Sequence, residues 1–209
     1  MGLNKIITKQ EQEALTPDRV LKDLLEGNKR FTSDEFHSRD YNAMKVSATG
    51  GQYPKAIILS CVDSRVPVET VFDQGIGDVF VARVAGNFEN TDILGSMEYA
   101  CKVAGSKLVF VLGHESCGAV SAACDGVELG NITHLLKNLK PAVEAVETDG
   151  KRDSTNKEFV HDVVQKNVEL TMDRVREKSS ILKSMEEKEE IKIVGGVYSL
   201  QTGEVELLS

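Results

Sequence analysis

Ala56-Ile57-Ile58-Leu59-Ser60-Cys61-Val62-Asp63-Ser64-Arg65 is the stretch on which the fold turns. Its first half is apolar with no polar alternation, as expected for a strand covered on both faces, an inner strand of a parallel sheet. The layout recurs at Lys107-Leu108-Val109-Phe110-Val111-Leu112, which leads into His114-Glu115-Ser116-Cys117-Gly118. If the two strands are neighbours, Cys61, His114 and Cys117 meet beyond their carboxyl ends, where open α/β sheets hold ligands. Two thiolates and an imidazole suit zinc. Three protein ligands leave a fourth position for water or substrate, the layout of a catalytic zinc site.

Working outward, Pro67 to Phe72 reads as a short helix and Asp78 to Arg83 as another strand, with the Gly75 and Gly77 turn between them. From Thr91 or Asp92 a helix runs to Ala104, with Ile93, Met97, Ala100 and Cys101 on one stripe and Gly105 as its stop. Further helices are expected over residues 117–123, 131–146 and 156–178, followed by a charged, solvated stretch at 178–190. Ile191 to Tyr198 is a further strand, and Thr202-Gly203 turns it into a C-terminal hairpin. Upstream, Thr16-Pro17-Asp18 starts a helix that Gly27 is placed to end. Residues 1–15 read as an arm outside the core, suited to clasping a partner subunit. Strands alternating with helices give the fold class: α/β, a mostly parallel central sheet flanked by helices, with an N-terminal helical arm and a C-terminal hairpin. The expected organisation is one domain over 1–209, the arm at 1–45 and the α/β core at 55–209.

The chain has 209 residues, 41% apolar and 28% charged, which is ordinary globular composition. With a net charge of −8 and no basic cluster, nucleic acid is not an expected partner. No apolar run approaches transmembrane length, and Met1 to Thr8 lacks a secretory core, so no membrane association is expected. Met1-Gly2 could open a myristoylation pattern, but Ile6 stands where that pattern wants Ser or Thr. A cytoplasmic protein is the expectation, or a periplasmic one if a signal peptide was removed. Of the four cysteines, Cys101 and Cys124 read as reduced core thiols, whereas Cys61 and Cys117 lie at element ends among polar and Gly residues.

His114 and Cys117 have H-x-x-C spacing, which on a loop entering a helix lets both side chains face one point. Cys117 would stand near that helix's N-terminus, where the dipole favours thiolate. Asp63 is close enough to Cys61 to reach a metal or its water, and Arg65 can hold that carboxylate in a bidentate pair. The bland alternative for Asp63 and Arg65 is a turn cap or an ordinary ion pair.

The paired motifs C-x-D-S-R and H-x-x-C-G closely resemble those of the β-class carbonic anhydrases. The likeness extends from Leu24 to Phe31 through Gly75 to Phe80 and on to Ala85-Gly86-Asn87, and covers most of residues 16–200. It implies an enzyme (a carbonate dehydratase, a zinc lyase) that interconverts carbon dioxide and bicarbonate, with one zinc per chain and a homodimer or tetramer as the assembly. It implies Cys61, His114 and Cys117 as zinc ligands and Asp63 and Arg65 as the catalytic dyad. Gln52 matches the glutamine that reaches substrate, often across the dimer interface; Phe80 and Tyr99 match the lining of the apolar pocket, and the Gly118 N–H a donor to bound anions. The bland readings of Gln52, Phe80 and Tyr99 are a surface amide and two packing aromatics.

In the implied mechanism zinc-bound hydroxide attacks carbon dioxide while Asp63 orients it. With two thiolates on the metal, the water pKa is expected above that of a three-histidine site. His161 and His134 are loose candidates for a proton shuttle. Some members of the family have a closed form in which the Asp equivalent to Asp63 takes the fourth zinc position; one marker is a Trp three residues before the first zinc Cys. Ile58 stands there, so an open site is expected. Outside this reading stand hydrolysis of carbon disulfide or carbonyl sulfide, a binding protein with structural zinc, and a redox protein using Cys61 and Cys117.

Overall fold

The computed structural model describes residues 5–208. Met1 to Asn4 of the arm, with the myristoylation reading, and Ser209 lie outside the described residues. Five strands form one sheet: β1 (Ala56–Ser60), β2 (Val79–Arg83), β3 (Leu108–His114), β4 (Lys192–Tyr198) and β5 (Val205–Leu207). Their order is β2-β1-β3-β4-β5, parallel except for β5, which returns antiparallel beside β4 as the expected hairpin. Both runs that decide the fold are inner strands and every residue of each is buried. Ser60 is level with Leu112 in the β1–β3 register, so Cys61 and His114 leave the sheet at nearly the same height.

Side chains of β1 alternate between two apolar layers, as the pleat requires. Ile57 and Leu59 face a layer with Val109, Val111 and the valines of a long helix, α9 (Lys157–Lys178). Ala56 and Ile58 face the other, with Phe110, Phe72 and the Val20 and Leu24 stripe of α2 (Pro17–Thr32). The N-terminal helices are α1 (Lys9–Glu13), α2 and α3 (Tyr41–Ser47), and α4 (Val68–Val71) follows the first motif. Thr8 caps α1, Thr16 caps α2 and Asp40 caps α3 through side-chain acceptors. Among the described residues no helix is long and apolar enough to cross a membrane.

Several sequence expectations change. Gly27 does not end α2, which continues to Thr32. A Cβ at Gly27 would lie 1.9 Å from the Phe72 carbonyl oxygen, so glycine serves close packing there, not chain reversal. The arm docks on its own chain: Ile6 and Ile7 are buried, and Gln12 donates to the carbonyls of Pro54 and Ala104. The helix expected to Ala104 is α5 (Thr91–Glu98) followed by a π turn (Tyr99–Val103). After α6 (Gly118–Cys124), the helix expected over 131–146 is two, α7 (Gly130–Leu136) and α8 (Lys140–Ala145). Pro141 accounts for the break, since its ring would clash with the carbonyl one turn back. The charged stretch after α9 holds α10 (Ser180–Glu187), which buries Leu182 and Met185.

Candidate active site and metal centre

Cys61 follows β1, His114 ends β3, and Cys117 is the N-cap of α6. All three are buried, and their donor atoms lie within 4.8 Å of one another. The two sulfurs are 4.0 Å apart; tetrahedral zinc with Zn–S bonds of about 2.3 Å spaces its thiolates by ~3.8 Å. His114 Nδ1 lies 2.9 Å from the Glu115 carbonyl. A carbonyl only accepts, so Nδ1 carries the proton and Nε2 presents its lone pair. That Nε2 is buried and has no hydrogen-bond partner among the described residues. Soft donors at this spacing, with a lone pair held ready by a backbone carbonyl, fit a zinc ion.

Their contact pushes the two thiols in opposite directions. Cys61 is pulled below the ordinary thiol value, chiefly by its hydrogen bond with Cys117, against the effect of burial and with help from His114 and the Gly86 N–H. Cys117 is pushed up by the same bond and by burial, although the N–H groups of Val120 and Ala119 in the first turn of α6 act the other way, as expected from the helix end. A divalent cation held between them would favour the thiolate form of both sulfurs. The other two thiols are inert: burial pushes Cys101 up to about 12 and Cys124 up to about 11.

Asp63 and Arg65 form the bidentate pair expected of them. Arg65 Nε donates to Asp63 Oδ1 at 2.9 Å and Nη2 to Oδ2 at 2.8 Å, and the Arg65 backbone N–H adds a bond to Oδ1 at 2.9 Å. These bonds outweigh desolvation and hold the Asp63 carboxyl well below the usual carboxylate range. Asp63 Oδ2 stands 3.8 Å from His114 Nε2, so the charged acid faces the donor group. Arg65 Nη2 also reaches the Ser116 carbonyl at 3.3 Å, tying the first motif to the second.

The remaining sequence candidates do not all converge. Phe80 and Tyr99 meet edge to face at 6.2 Å and line a cavity of about 720 Å³ with Ile57, Ala82 and Ile93, but none of the three donor residues lines it. Gly118 opens α6 beside Cys117 and is exposed. Gln52 is exposed before β1, at the opposite end of that strand from Cys61. Five strand residues span ~17 Å, too far for a Gln side chain to bridge. His161 shares a hydrogen bond with Gln165 on its own helix, and His134 is exposed at the end of α7.

Two residues that hold the site were not foreseen. Arg83, at the end of β2, donates to the carbonyls of Cys61, Asp63 and Val66 and so clamps the whole first motif. Glu115, between His114 and Cys117, accepts from the Ser199 hydroxyl and the Leu200 N–H, anchoring the second motif to the chain after β4. A cation at the end of a strand beside the motif was the one available signal for Arg83; for Glu115 only adjacency to His114 pointed to it.

A family model described as carbonic anhydrase matches residues 56–205. "Carbonic anhydrase 2" of Mycobacterium tuberculosis is 35% identical over 193 residues, covering 90% of this chain and 90% of that protein. The carbonic anhydrase of Mycolicibacterium smegmatis is 33% identical over 195 residues, covering 92% and 94%. Among solved structures, a tetrameric β-carbonic anhydrase from Sordaria macrospora superposes with a TM-score of 0.68 at 25% identity, covering 90% of this chain and 93% of that chain. A Coccomyxa β-carbonic anhydrase in complex with acetazolamide gives a TM-score of 0.69 at 24% identity over 90% and 86%, a likeness of fold.

Proposed function

The chain belongs to the β-carbonic anhydrase family, enzymes of reversible carbon dioxide hydration, and we propose that Cys61, His114 and Cys117 hold one zinc ion per chain and Asp63 and Arg65 run the reaction beside it. The observation that carries this reading is the set of three buried donor atoms within 4.8 Å of one another. Zinc bound there would supply the Lewis acidity that makes water a nucleophile near neutral pH.

The chain's own groups do the rest. Arg65 keeps Asp63 ionised and fixes both carboxylate oxygens, so Oδ2 accepts a proton-bearing hydrogen bond from the nucleophile and turns its lone pair toward carbon. Because the acid is held by Arg65, the site is open at neutral pH, and crystals grown near pH 7 to 8 with Asp63 on the metal would contradict this. Phe80 and Tyr99 give the substrate an apolar approach, and the Gly118 N–H is offered to the bicarbonate oxygens. Gln52 serves the site of a second copy of the chain, since it stands at the wrong end of β1 for its own; a homodimer or a tetramer follows, and the similar Sordaria protein is tetrameric. Four unpaired cysteines suit the reducing cytoplasm. With the family assigned, the structural-zinc and redox readings lose their ground.

Stopped-flow carbon dioxide hydration with zinc-loaded protein at about pH 8.5, where such a site holds its nucleophile, tests the proposal. Fast turnover that disappears on chelation and returns with zinc is the expected result. Protein carrying one zinc per chain with no turnover would overturn it.

A further inference from the structure

Asn167 lies mid-way along α9 and is 1% exposed, between Val163, Val164, Val168 and Thr171, which are also buried. A buried amide needs partners, and this one is half satisfied. Its Nδ2 donates to the Gly86 carbonyl at 2.8 Å, whereas its Oδ1 has no partner among the described residues. A carbonyl only accepts, so the amide cannot turn round to relieve the orphaned oxygen without losing that bond. What the helix gains from such a residue is found at its acceptor.

Gly86 lies on the turn after β2 at φ +82°, and its own N–H donates to Cys61 Sγ at 3.3 Å. The N–H and the carbonyl of Gly86 belong to different peptide planes. The Asn87 N–H, on the same plane as the Gly86 carbonyl, closes the turn onto the Val84 carbonyl at 2.9 Å, but glycine leaves that plane free to swivel against the one carrying its own N–H. The surroundings fix it. Leu139 stands 2.8 Å from where a Cβ on Gly86 would be, and Asn167 holds the carbonyl.

We propose that Asn167 is a positioning residue for the metal: through the Gly86 carbonyl it keeps the Gly86 N–H aimed at Cys61 Sγ. This rests on the zinc reading of the donor group and deepens it. A hydrogen bond to a thiolate orients the sulfur and draws off part of the charge it gives to a cation, which is how groups behind the ligands tune a metal. Sequence places Asn167 more than a hundred residues from Cys61, and only the Gly86 turn connects them.

The test compares Asn167→Leu, which removes the donor and the orphaned oxygen at similar volume, with Asn167→Ala, which removes both and leaves a cavity. Val175→Ala on the same helix is the control for lost packing. Zinc affinity is read by chelator competition, and the sulfur-to-metal charge-transfer band by cobalt substitution. Both Asn167 variants should lose 10- to 100-fold in zinc affinity and shift the band, and Val175→Ala should do neither despite its lower stability. In the wild-type chain loaded with NMR-active cadmium, the Gly86 amide proton should couple to the metal through Cys61. Wild-type affinity and spectrum in whichever Asn167 variant folds, or no coupling at Gly86, would overturn the proposal. A wild-type chain that binds no zinc would instead remove the metal centre itself.

Discussion

The two ends of the sheet each bury a polar cluster, and the clusters are built on opposite terms. At the amino end, before β2, the buried Asp73 carboxylate takes hydrogen bonds from Arg30, Arg39 and the His37 backbone N–H, and Arg39 also holds the Asp73 carbonyl. At the carboxyl end Cys61, His114 and Cys117 face one another, and among the described residues His114 Nε2 has no hydrogen-bond partner. An unmatched buried polar atom costs ~1–3 kcal/mol. The amino end carries one such atom too, Gln74 Oε1, but its buried charge is closed by arginines of the chain itself, whereas at the carboxyl end three side chains able to bind a metal converge on one point.

The largest effect should come from altering the carboxyl end without touching its three donor residues. Asp63→Asn removes the charge that Arg65 stabilises and the acceptor at Oδ2. Carbon dioxide hydration should fall by ~10²–10⁴, the range for a positioned proton-transfer group. Zinc content and melting temperature should stay close to wild type, since Asp63 is not one of the three donors and Arg65 is more than half exposed. Metal analysis beside stopped-flow rates checks this. A variant within ~10-fold of wild type would mean that the pair shapes the loop and does not act on substrate.

The same contrast governs what could be read in the sequence. Cys61, His114 and Cys117 were legible because continuous apolar runs announce inner strands, and ligands of an open α/β sheet collect at their ends. Gly27 was misread because a C-terminal glycine rule is local, whereas the Phe72 carbonyl that demands glycine lies 45 residues on. Asn28, whose amide bonds the carbonyls of Val71 and Gly203 and accepts from Val205 N–H, was equally invisible, since a polar residue on an amphipathic helix reads as solvent-facing. Arg83 and Asn167 belong to the same class: their partners are backbone atoms, and backbone atoms leave no trace in residue types. Pro141 was visible, and its break in the helix over 131–146 could have been read.

Breaking the amino end should cost stability and spare chemistry. Asp73→Asn leaves the Arg30 and Arg39 guanidinium groups without their anion, a change worth ~3–5 kcal/mol for a buried pair. Rate per bound zinc should be unchanged, because the cluster lies at the other end of the strands. The pH dependence has a definite sign. Burial pushes the Asp73 carboxyl up, but the bonds from Arg39, Arg30 and the His37 N–H overcome it, and the folded value ends below the ordinary one. Stabilisation is therefore complete above the unfolded value of about 3.9 and is lost as pH falls through the folded value. Acid melts should show wild type losing its advantage over Asp73→Asn below about pH 4. Parallel curves through that window would mean that Asp73 is not the group titrating.

The smallest effect belongs to a second ion pair at the amino end, and it isolates burial as the cause. Asp18 in the first turn of α2 meets Lys192 at the start of β4, with side chains 77% and 46% exposed. Contact there is as close as at Asp73, so proximity alone would predict a comparable loss on removal. Water already solvates both partners, however, and exposed pairs generally contribute ~0–1 kcal/mol. Asp18→Asn should move the thermal midpoint barely at all, and raising salt toward 1 M should erase what difference there is, because the screening length then falls to about 3 Å. A loss rivalling that of Asp73→Asn and resistant to salt would break the comparison, placing the strength of the amino end in its charge count and not in the closure of one buried carboxylate.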